Sequence, residues 1–491
     1  MRTTVVSLLL LLGANTAHAQ HNADDTPLPE DPKQSIYGQA RVVHAPPTFA
    51  PAPGPLLFLD EFFIESSAGI QREVERPRRD DSIPNPIVTG KEDGCFQPYL
   101  TVLRDDASGR FRLWYGRHTD AFDSNRSRIG YAESADGIRW ERPMRTLNDP
   151  GPIQFGVSLV DTGPSARNPA RRYVYAWHID GWLSLAGSPD GLEWTPLDPA
   201  RVLKHSHDIN GLYYDPARNR FVATLSVYRP GYDWKSNRRV TMQSVSSDLV
   251  NWSVPHYVVL PASGVDEGET QFYAMDGYLA RGRMLLGMVK VLRDDLKADD
   301  PPDPPDAYGV GYTALAWSHD GVHWLRDTAH FFDPDPRKGA WDHAHAWIDE
   351  QVPVGDDVYL YYGGYARGHK VDRFEERQIG LVRMKRDRYV ARVAGDTPGV
   401  LRTVPFTFTG SSFTVNADAS GGSVRAQVVD ENGQPLRGYS YEDCPPVTTD
   451  SIDAPVEWKG KTSALKDKAI RLEFAIRNAR LYALNVERSK D

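Results

Sequence analysis

A seven-residue stretch, Ser134-Ala135-Asp136-Gly137-Ile138-Arg139-Trp140, decides the fold because variants of it recur three times further along the chain. The variants occupy residues 188–194, 246–252 and 318–324, and successive tryptophans lie 54, 58 and 72 residues apart. Such spacings are typical of one four-stranded propeller blade with insertions. The Asp-Gly step favours a tight turn, and the tryptophan anchors the strand that follows. Four equivalent copies cannot all face one site, so we interpret them as turn and core elements.

Strand-like runs precede each copy, three at a time, and a fifth set at residues 346–384 lacks the turn. This pattern predicts an all-β chain whose main domain, residues 56–405, is a five-bladed β-propeller. We expect residues 56–64 to close the last blade. After residue 405 shorter alternating strands predict a small C-terminal β-sandwich, residues 406–491, with a capping role favoured over sugar binding.

The N-terminus has the features of a secretory signal peptide. Arg2 is followed by an apolar run at residues 5–12 and by Ala17-His18-Ala19, so we expect residues 1–19 to be removed and the product to be secreted or periplasmic. Residues 20–55 are rich in proline and predict a linker or extended arm. The apolar run is too short to span a bilayer, so no membrane insertion is expected.

The composition of the chain excludes some classes of binding partner. The 491 residues include 57 Lys and Arg against 66 Asp and Glu, a net charge of −9. An acidic chain is a poor binder of phosphate backbones, so no nucleic-acid partner is expected. The two cysteines, Cys95 and Cys444, are too few for a disulfide scaffold.

Several motifs together carry a resemblance to a known group of enzymes. Besides the turns, these are Gly339-Ala340-Trp341-Asp342, Leu57-Phe58-Leu59-Asp60-Glu61, Asn416-Ala417-Asp418 and Glu442-Asp443-Cys444. Between about residues 56 and 487 the chain resembles the five-bladed propeller glycoside hydrolases of families 32, 43 and 117, most closely the secreted family 32-like bacterial proteins. The resemblance implies a glycosidase with acidic catalytic residues from several blades and a carbohydrate substrate.

Residues just ahead of each blade's first strand should converge on one mouth of the central channel. Glycoside hydrolysis needs two carboxyl groups there, one protonated and one ionised. Asp208, in His205-Ser206-His207-Asp208-Ile209-Asn210, is the first candidate. Glu269, in the acidic stretch 266–269, is the preferred general acid, because clustered carboxylates raise one another's pKa. Asp342 is the alternative acid or base.

Six further residues are predicted to bind substrate from the same segments, as hydrogen-bonding groups or a sugar-stacking ring: His207, Asn210, His345, Glu92, Gln271 and Trp182. No metal ligand is assigned and no cofactor is expected, because none of the strong metal-binding spacings occurs. A divalent cation held by His343 or His345 together with His207 and Asp208 is the weaker alternative.

Two other functions stay open. A polysaccharide lyase acting on a uronate-containing glycan would use a Tyr or His base with a cation, for which His207, Tyr213 and Arg229 are candidates. A non-catalytic propeller that binds glycans would use the same polar residues without a correctly spaced carboxylate pair.

Overall fold

The computed structural model describes residues 20–28, 45, 49–51, 54–118, 126–164, 166, 168–230, 237–261, 265–266, 268, 270–298, 309–430 and 432–487. The predicted signal peptide, residues 1–19, lies outside them. Apart from short helical turns, the regular elements of this part of the chain are β-strands, which confirms the all-β prediction.

Four short strands open the described chain: β1 (His21–Asn22), β2 (Gly54–Leu57), β3 (Ile64–Ala68) and β4 (Gln71–Val74). The helical turns are α1 (Gly90–Asp93) and four 3₁₀ segments: Ala23–Asp25, Pro169–Arg171, Tyr441–Asp443 and Thr462–Leu465. The Thr89 side chain caps α1, and Gly94 ends it in the left-handed conformation that favours glycine (φ 71°).

Five antiparallel sheets, here called sheets I to V, then follow in chain order. Sheet I contains β5 (Cys95–Arg104), β6 (Phe111–Arg117), β7 (Arg128–Ser134) and β8 (Arg145–Thr146). Sheet II contains β9 (Phe155–Asp161), β10 (Tyr173–Ile179), β11 (Trp182–Ser188) and β12 (Thr195–Lys204). Sheet III contains β13 (Asn210–Asp215), β14 (Arg220–Pro230), β15 (Asn237–Ser246) and β16 (His256–Val259).

The remaining two sheets complete the series. Sheet IV contains β17 (Thr270–Arg281), β18 (Met284–Arg293), β19 (Val310–Ser318) and β20 (Leu325–Phe332). Sheet V contains β21 (His345–Val354), β22 (Asp357–Tyr365) and β23 (Gln378–Lys385), and one parallel bridge, Gly311 to His345, joins it to sheet IV.

The first strands of the five sheets form a ring. Each of β5, β9, β13, β17 and β21 contacts the next in that order, and β21 returns to contact β5. Apolar clusters fill the spaces between successive sheets, as expected when both faces of a sheet are covered.

The outer edge of sheet V is covered from the N-terminal side. Bridges join Arg78 to Arg383 and Val88 to Ile379, and the Asn85 side chain exchanges hydrogen bonds of 2.8 Å with the backbone of Leu381. Residues 78–88 therefore lie where a fourth strand would. The prediction that residues 56–64 close this blade is wrong, because β2 and β3 pair elsewhere.

Eight strands follow sheet V: β24 (Val390–Ala394), β25 (Gly399–Thr403), β26 (Phe406–Thr407), β27 (Ser412–Asp418), β28 (Ser423–Val429), β29 (Asp450–Val456), β30 (Ala469–Arg477) and β31 (Ala479–Glu487). They form two sheets, the C-terminal sheet pair, which also take in β2 on β31, β3 on β25 and β4 on β24. The pair thus begins before residue 406 and recruits strands from residues 54–74, since the apolar side chains of Leu57 and Phe58 are buried there.

The repeated turns share one set of hydrogen bonds. In the first copy Asp136 Oδ1 accepts from the backbone N–H groups of Ile138 (2.8 Å) and Arg139 (2.7 Å), while Ser134 Oγ accepts from Gly137 N–H (2.9 Å). The other copies repeat these contacts. Each aspartate is therefore used within its own turn, in agreement with a structural role.

Candidate functional site

A polar cluster, here called the mouth, lies at one end of the ring and is defined by His207, Asp208, Arg239, Tyr273, His369 and Arg373. His207 and Asp208 immediately precede β13, the first strand of sheet III. Arg239 lies on β15 and Tyr273 on β17, so the ring of strands brings together residues far apart in sequence. Two predicted site residues, His207 and Asp208, are central to it.

The carboxyl group of Asp208 is held against an imidazole. Asp208 Oδ1 lies 3.0 Å from Nε2 of His207, whose Nδ1 lies 2.8 Å from the Ser226 hydroxyl. The same Nε2 is 3.1 Å from the Nε–H of Arg239. The Asp208 side chain keeps 27% of its surface exposed, whereas that of His207 keeps 4%. Asp208 is therefore the member of this pair that a ligand can reach.

Burial shifts both titrating groups toward their neutral forms. It raises the pKa of Asp208 above the usual range, although the positive charges of Arg239, Arg377 and Arg373 oppose the rise. Burial also lowers the pKa of His207, and the neighbouring Arg239 adds to this effect. A carboxyl group shifted toward its protonated form beside a neutral imidazole has the chemistry of a general acid.

Gln271 and Asp294 contact the guanidinium group of Arg239. Gln271 Oε1 accepts a 2.7 Å hydrogen bond from Arg239 Nη1, and its Nε2 donates to Asp294. Asp294 Oδ2 is 3.6 Å from the same guanidinium nitrogen, and its side chain is 43% exposed. The predicted residue Gln271 thus belongs to the mouth, as a group that positions Arg239.

Aromatic rings form the wall of the mouth. The guanidinium of Arg239 lies over Tyr273 (5.1 Å) and Tyr228 (5.3 Å), and Tyr273 stacks on Trp347 with ring centroids 4.8 Å apart. His345 lies behind this wall, fully buried against Trp347 (4.6 Å). Burial lowers the pKa of His345 to about 3, so its imidazole is neutral and supports the rings from behind.

Residues 366–377, between β22 and β23, add a set of groups that sequence reasoning missed. His369 Nε2 lies 2.9 Å from the Tyr273 hydroxyl, and Phe374 stacks on Phe96 of sheet I (5.1 Å). Arg377 donates a 2.8 Å hydrogen bond to the His369 carbonyl. The one available signal was the spacing His369, Arg373, Arg377 between two predicted strands, which lies at the far end of a blade and not ahead of its first strand.

A second charged cluster lies deeper along the ring. Lys290 is buried between Asp276, whose Oδ2 is 2.7 Å from its Nζ, and Asp349. Its ammonium faces the Tyr99 ring at 4.7 Å, and burial raises the pKa of Asp349 despite the lysine. Asn210, predicted to bind substrate, lines the small cavity beside this cluster, and within the described ranges its amide has no hydrogen-bond partner.

Asp342 lies in a different environment. Arg79 donates to its Oδ2 through Nε (2.9 Å) and Nη2 (2.6 Å), and the Tyr362 hydroxyl donates to the same oxygen (2.9 Å). The residue is 1% exposed. It underlies an open cavity of about 670 Å³ that Arg79, Trp341 and Tyr362 help to line. The structure therefore does not bring Asp342 together with Asp208.

The remaining predicted residues divide into three cases. Glu92 is exposed on α1, whereas its neighbour Asp93 is buried and paired with Arg142 at 3.0 Å. Trp182 is half-buried at the start of β11, the third strand of sheet II, and belongs to no contact described above. Glu269 lies outside the described residues, so its assignment stays a prediction.

Metal binding and membrane insertion were also tested on the described residues. Within them no three His, Cys, Asp or Glu side chains are grouped in a way that could hold a metal ion. None of the helices in these ranges has the length and apolar character needed to cross a bilayer.

Comparison with known proteins finds similarities to solved structures at low identity and low TM-score. No protein-family model and no curated protein matches the sequence. A glycosyl hydrolase from Bacteroides ovatus matches over 65% of this chain and 96% of its own, with 14% identity and a TM-score of 0.43. The β-1,2-mannobiose phosphorylase from Listeria innocua has 12% identity over 65% and 97% of the two chains (TM-score 0.40). The GH93 α-L-arabinofuranosidase of Fusarium graminearum has 11% identity over 65% and 98% (TM-score 0.38). Function is therefore argued from the residues of the mouth.

Proposed function

We propose that the chain is a secreted glycoside hydrolase that cleaves a poly- or oligosaccharide at the mouth of a five-bladed β-propeller, with Asp208 as general acid. One observation carries the proposal: a partly exposed carboxyl group with a raised pKa lies 3.0 Å from a buried imidazole at the end of the ring of first strands. The predicted export signal and the closed order of strand contacts support the location and the fold.

The chemistry follows from the protonation states. Asp208 donates its proton to the glycosidic oxygen as the bond from that oxygen to the anomeric carbon breaks, so the leaving sugar departs as an alcohol. His207 Nε2 lies 3.0 Å from Oδ1 of this carboxyl group, and Ser226 fixes the orientation of the imidazole. After bond cleavage the Asp208 carboxylate is stabilised by Arg239, whose guanidinium contacts the same imidazole nitrogen.

Glu269 is the second carboxyl group in this proposal. It lies outside the described residues and precedes Gln271, which contacts Arg239, by two positions in the sequence. Because Asp208 is here the acid, the proposed role of Glu269 changes from general acid to nucleophile or base. An ionised carboxylate there attacks the anomeric carbon directly or takes a proton from the attacking water. Asp342 is not proposed for this role, because it is 1% exposed and its Oδ2 is bound by Arg79 and Tyr362.

The aromatic wall suits a sugar substrate. Pyranose and furanose rings present C–H faces that pack on aromatic surfaces while their hydroxyl groups seek polar partners. Tyr228, which is half-buried beside Arg239, supplies such a face, and Asp294 supplies an exposed acceptor for hydroxyl groups.

The test uses the mature full-length chain, D208N, E269Q and the control D106N, whose carboxylate is fully exposed on a turn of sheet I. New reducing ends and unsaturated-uronate absorbance are followed on a panel of plant, algal and microbial glycans. We expect reducing ends without absorbance, a loss of about 10²–10⁴-fold in kcat for D208N and E269Q, and no change for D106N. An active D208N enzyme contradicts the assignment of Asp208.

Elimination on a uronate-containing glycan is the second candidate, favoured by the 2.9 Å contact between the Tyr273 hydroxyl and His369. The three residues that the sequence predicts for it, His207, Tyr213 and Arg229, do not contact one another in the described chain: Tyr213 donates to Asp276, and Arg229 binds the backbone of Ala23 in the N-terminal arm. Burial raises the pKa of Tyr273, which weakens it as a base. Unsaturated-uronate absorbance that is lost in Y273F would establish elimination in place of hydrolysis.

A further inference from the structure

We propose that the mouth binds an acidic sugar, and that the guanidinium of Arg373 receives the negatively charged group of that sugar. This inference rests on the proposed function, since it names the substrate class of the same site. The anionic group is a carboxylate, as in a uronate, or a sulfate ester; both present oxygen atoms that a planar guanidinium binds through two parallel hydrogen bonds.

In the part of the chain that the structure describes, Arg373 is a cation without a counterion. Its guanidinium lies over the Phe96 ring at 5.0 Å, and it makes no ion pair and no side-chain hydrogen bond with the described chain. Burial lowers the pKa of Arg373, and the positive charge of Arg377 lowers it further. A protein pays for such an arrangement in stability unless an anion completes it.

Arg377 adds a second positive charge that acts on Arg373. It is 5% exposed, with its guanidinium 5.1 Å from the Tyr365 ring. Its hydrogen bonds go to the backbone carbonyls of His369 (2.8 Å) and Phe96 (3.4 Å), and its Nε has no partner among the described residues. Neutral carbonyl groups satisfy its donors without cancelling its charge, so a bound anion gains from Arg377 as well.

The acidic groups nearby do not balance these cations. Arg239 has Asp294 at 3.6 Å, and Glu376 is paired with Arg367 at 2.5 Å. The charges of Arg373 and Arg377 both act to lower the pKa of Asp208, yet burial raises that pKa overall. When Asp208 carries the proton that hydrolysis requires, the two arginines face the mouth with no negative partner within ion-pair distance in the described chain.

The position of Arg373 fits a ligand that also reaches Asp208. Arg373 is half-buried beside Phe96, and its positive charge acts on the pKa of Asp208, while the hydroxyl groups of Tyr273, Tyr365 and Tyr99 act on the pKa of Arg373. A sugar held at the aromatic wall can therefore present one oxygen to Asp208 and a charged substituent to Arg373.

The experiment measures binding, by calorimetry and by NMR titration, so that it does not depend on cleavage. The probes are oligosaccharides containing galacturonate, glucuronate or mannuronate, the methyl esters of the same uronates, and sulfated and desulfated galactan oligosaccharides. The proteins are the mature wild-type chain, R373Q, R373K and the control R139Q, which alters a 75% exposed arginine on the turn between β7 and β8.

We expect at least one acidic probe to bind tenfold or more tightly than its neutral counterpart, with affinity that falls as salt is added. R373Q should lose that tenfold preference while neutral probes bind unchanged, R373K should recover part of it, and R139Q should match the wild type. Uronate preference and sulfate preference distinguish the two sources of the charge.

Two results overturn the inference: acidic probes that bind no better than neutral ones, or an acidic preference that survives in R373Q. Each is separable from the fate of the proposed function. Cleavage of a neutral glycan, with no preference for acidic probes, supports the proposed hydrolase activity and contradicts the inference that the substrate is an acidic sugar. Tighter binding of acidic probes without cleavage of any probe supports the acidic-sugar inference and contradicts the proposed hydrolase activity.

Discussion

At Gly311 the backbone of β19 lies directly against the aromatic wall of the mouth. A Cβ atom there would meet the Trp347 ring at 2.6 Å and the His345 ring closer still. The backbone of Gly311 also pairs with His345, so neither partner moves away easily. We expect G311A to lose about 1–3 kcal/mol in the free energy of unfolding through overpacking, together with activity on the best glycan.

The matched control is G395A, because nothing lies within 4 Å of a Cβ atom at that exposed glycine. Thermal denaturation and steady-state kinetics of the two variants are compared. If G311A keeps wild-type stability and kcat, the wall is not rigidly packed and the account of His345 as its support is wrong.

At the scale of single elements, the repeated turn is stabilised by one carboxylate per copy. In the third copy Asp248 Oδ1 accepts from the N–H groups of Val250 (2.9 Å) and Asn251 (2.7 Å), while Leu249 replaces the glycine at φ 68°. The left-handed conformation costs a leucine about 1–2 kcal/mol, whereas burying its side chain in the core between sheets II and III returns about 1.5–3 kcal/mol. The two effects nearly offset, so this turn depends most on Asp248.

We expect D248A to lower the free energy of unfolding by about 1–2 kcal/mol, because two backbone donors lose their acceptor. These bonds contribute to holding the pKa of Asp248 at about 2, below its unfolded value. The stabilisation is therefore present above about pH 4 and is lost as the pH falls through 2. Chemical denaturation measures the change, with D356A, at an exposed turn between β21 and β22, as the control. Equal stabilities of D248A and D356A would show that the turn does not need its carboxylate.

At the scale of the whole molecule, buried neutral histidines make stability sensitive to acid. Burial lowers the pKa of His178 and of His345 to about 3 and that of His205 to about 4. The unfolded chain binds protons at these sites below about pH 6.5, whereas the folded chain does not. Stability is therefore full above about pH 6.5 and falls as the pH drops toward 4, by up to about 1.4 kcal/mol per pH unit for each residue.

The measurement is the midpoint of thermal unfolding between pH 7.5 and 5 for the wild type, H178F and the control H323F. His178 is 4% exposed and neither of its ring nitrogens has a partner in the described chain, so phenylalanine removes its proton uptake without removing a hydrogen bond seen there. His323 is 64% exposed. As the pH is lowered, the unfolding midpoint of H178F should fall less steeply than that of the wild type, and the midpoint of H323F should fall as the wild type does. Identical slopes for all three proteins would contradict the prediction.

Much of the architecture could be read from local patterns. The turns centred on Asp136, Asp190, Asp248 and Asp320 and the strand runs before them predicted the succession of sheets, because a turn and its flanking strands depend on neighbouring residues only. The strands that cover sheet V and extend the C-terminal sheet pair could not be predicted in this way, since residues 54–88 pair with strands that follow them by roughly three hundred to four hundred positions.

The sequence by itself determined the all-β class, the repeated turns and the segment that carries His207 and Asp208, because each depends on residue types within a few positions. Tertiary structure alone decided which polar groups meet. It placed Arg239 and Tyr273 beside Asp208, brought Arg373 and Arg377 from the far end of sheet V, and set Asp342 apart with Arg79. The physical reason is that charge, burial and pKa depend on neighbours in space, and the closing of the ring decides those neighbours.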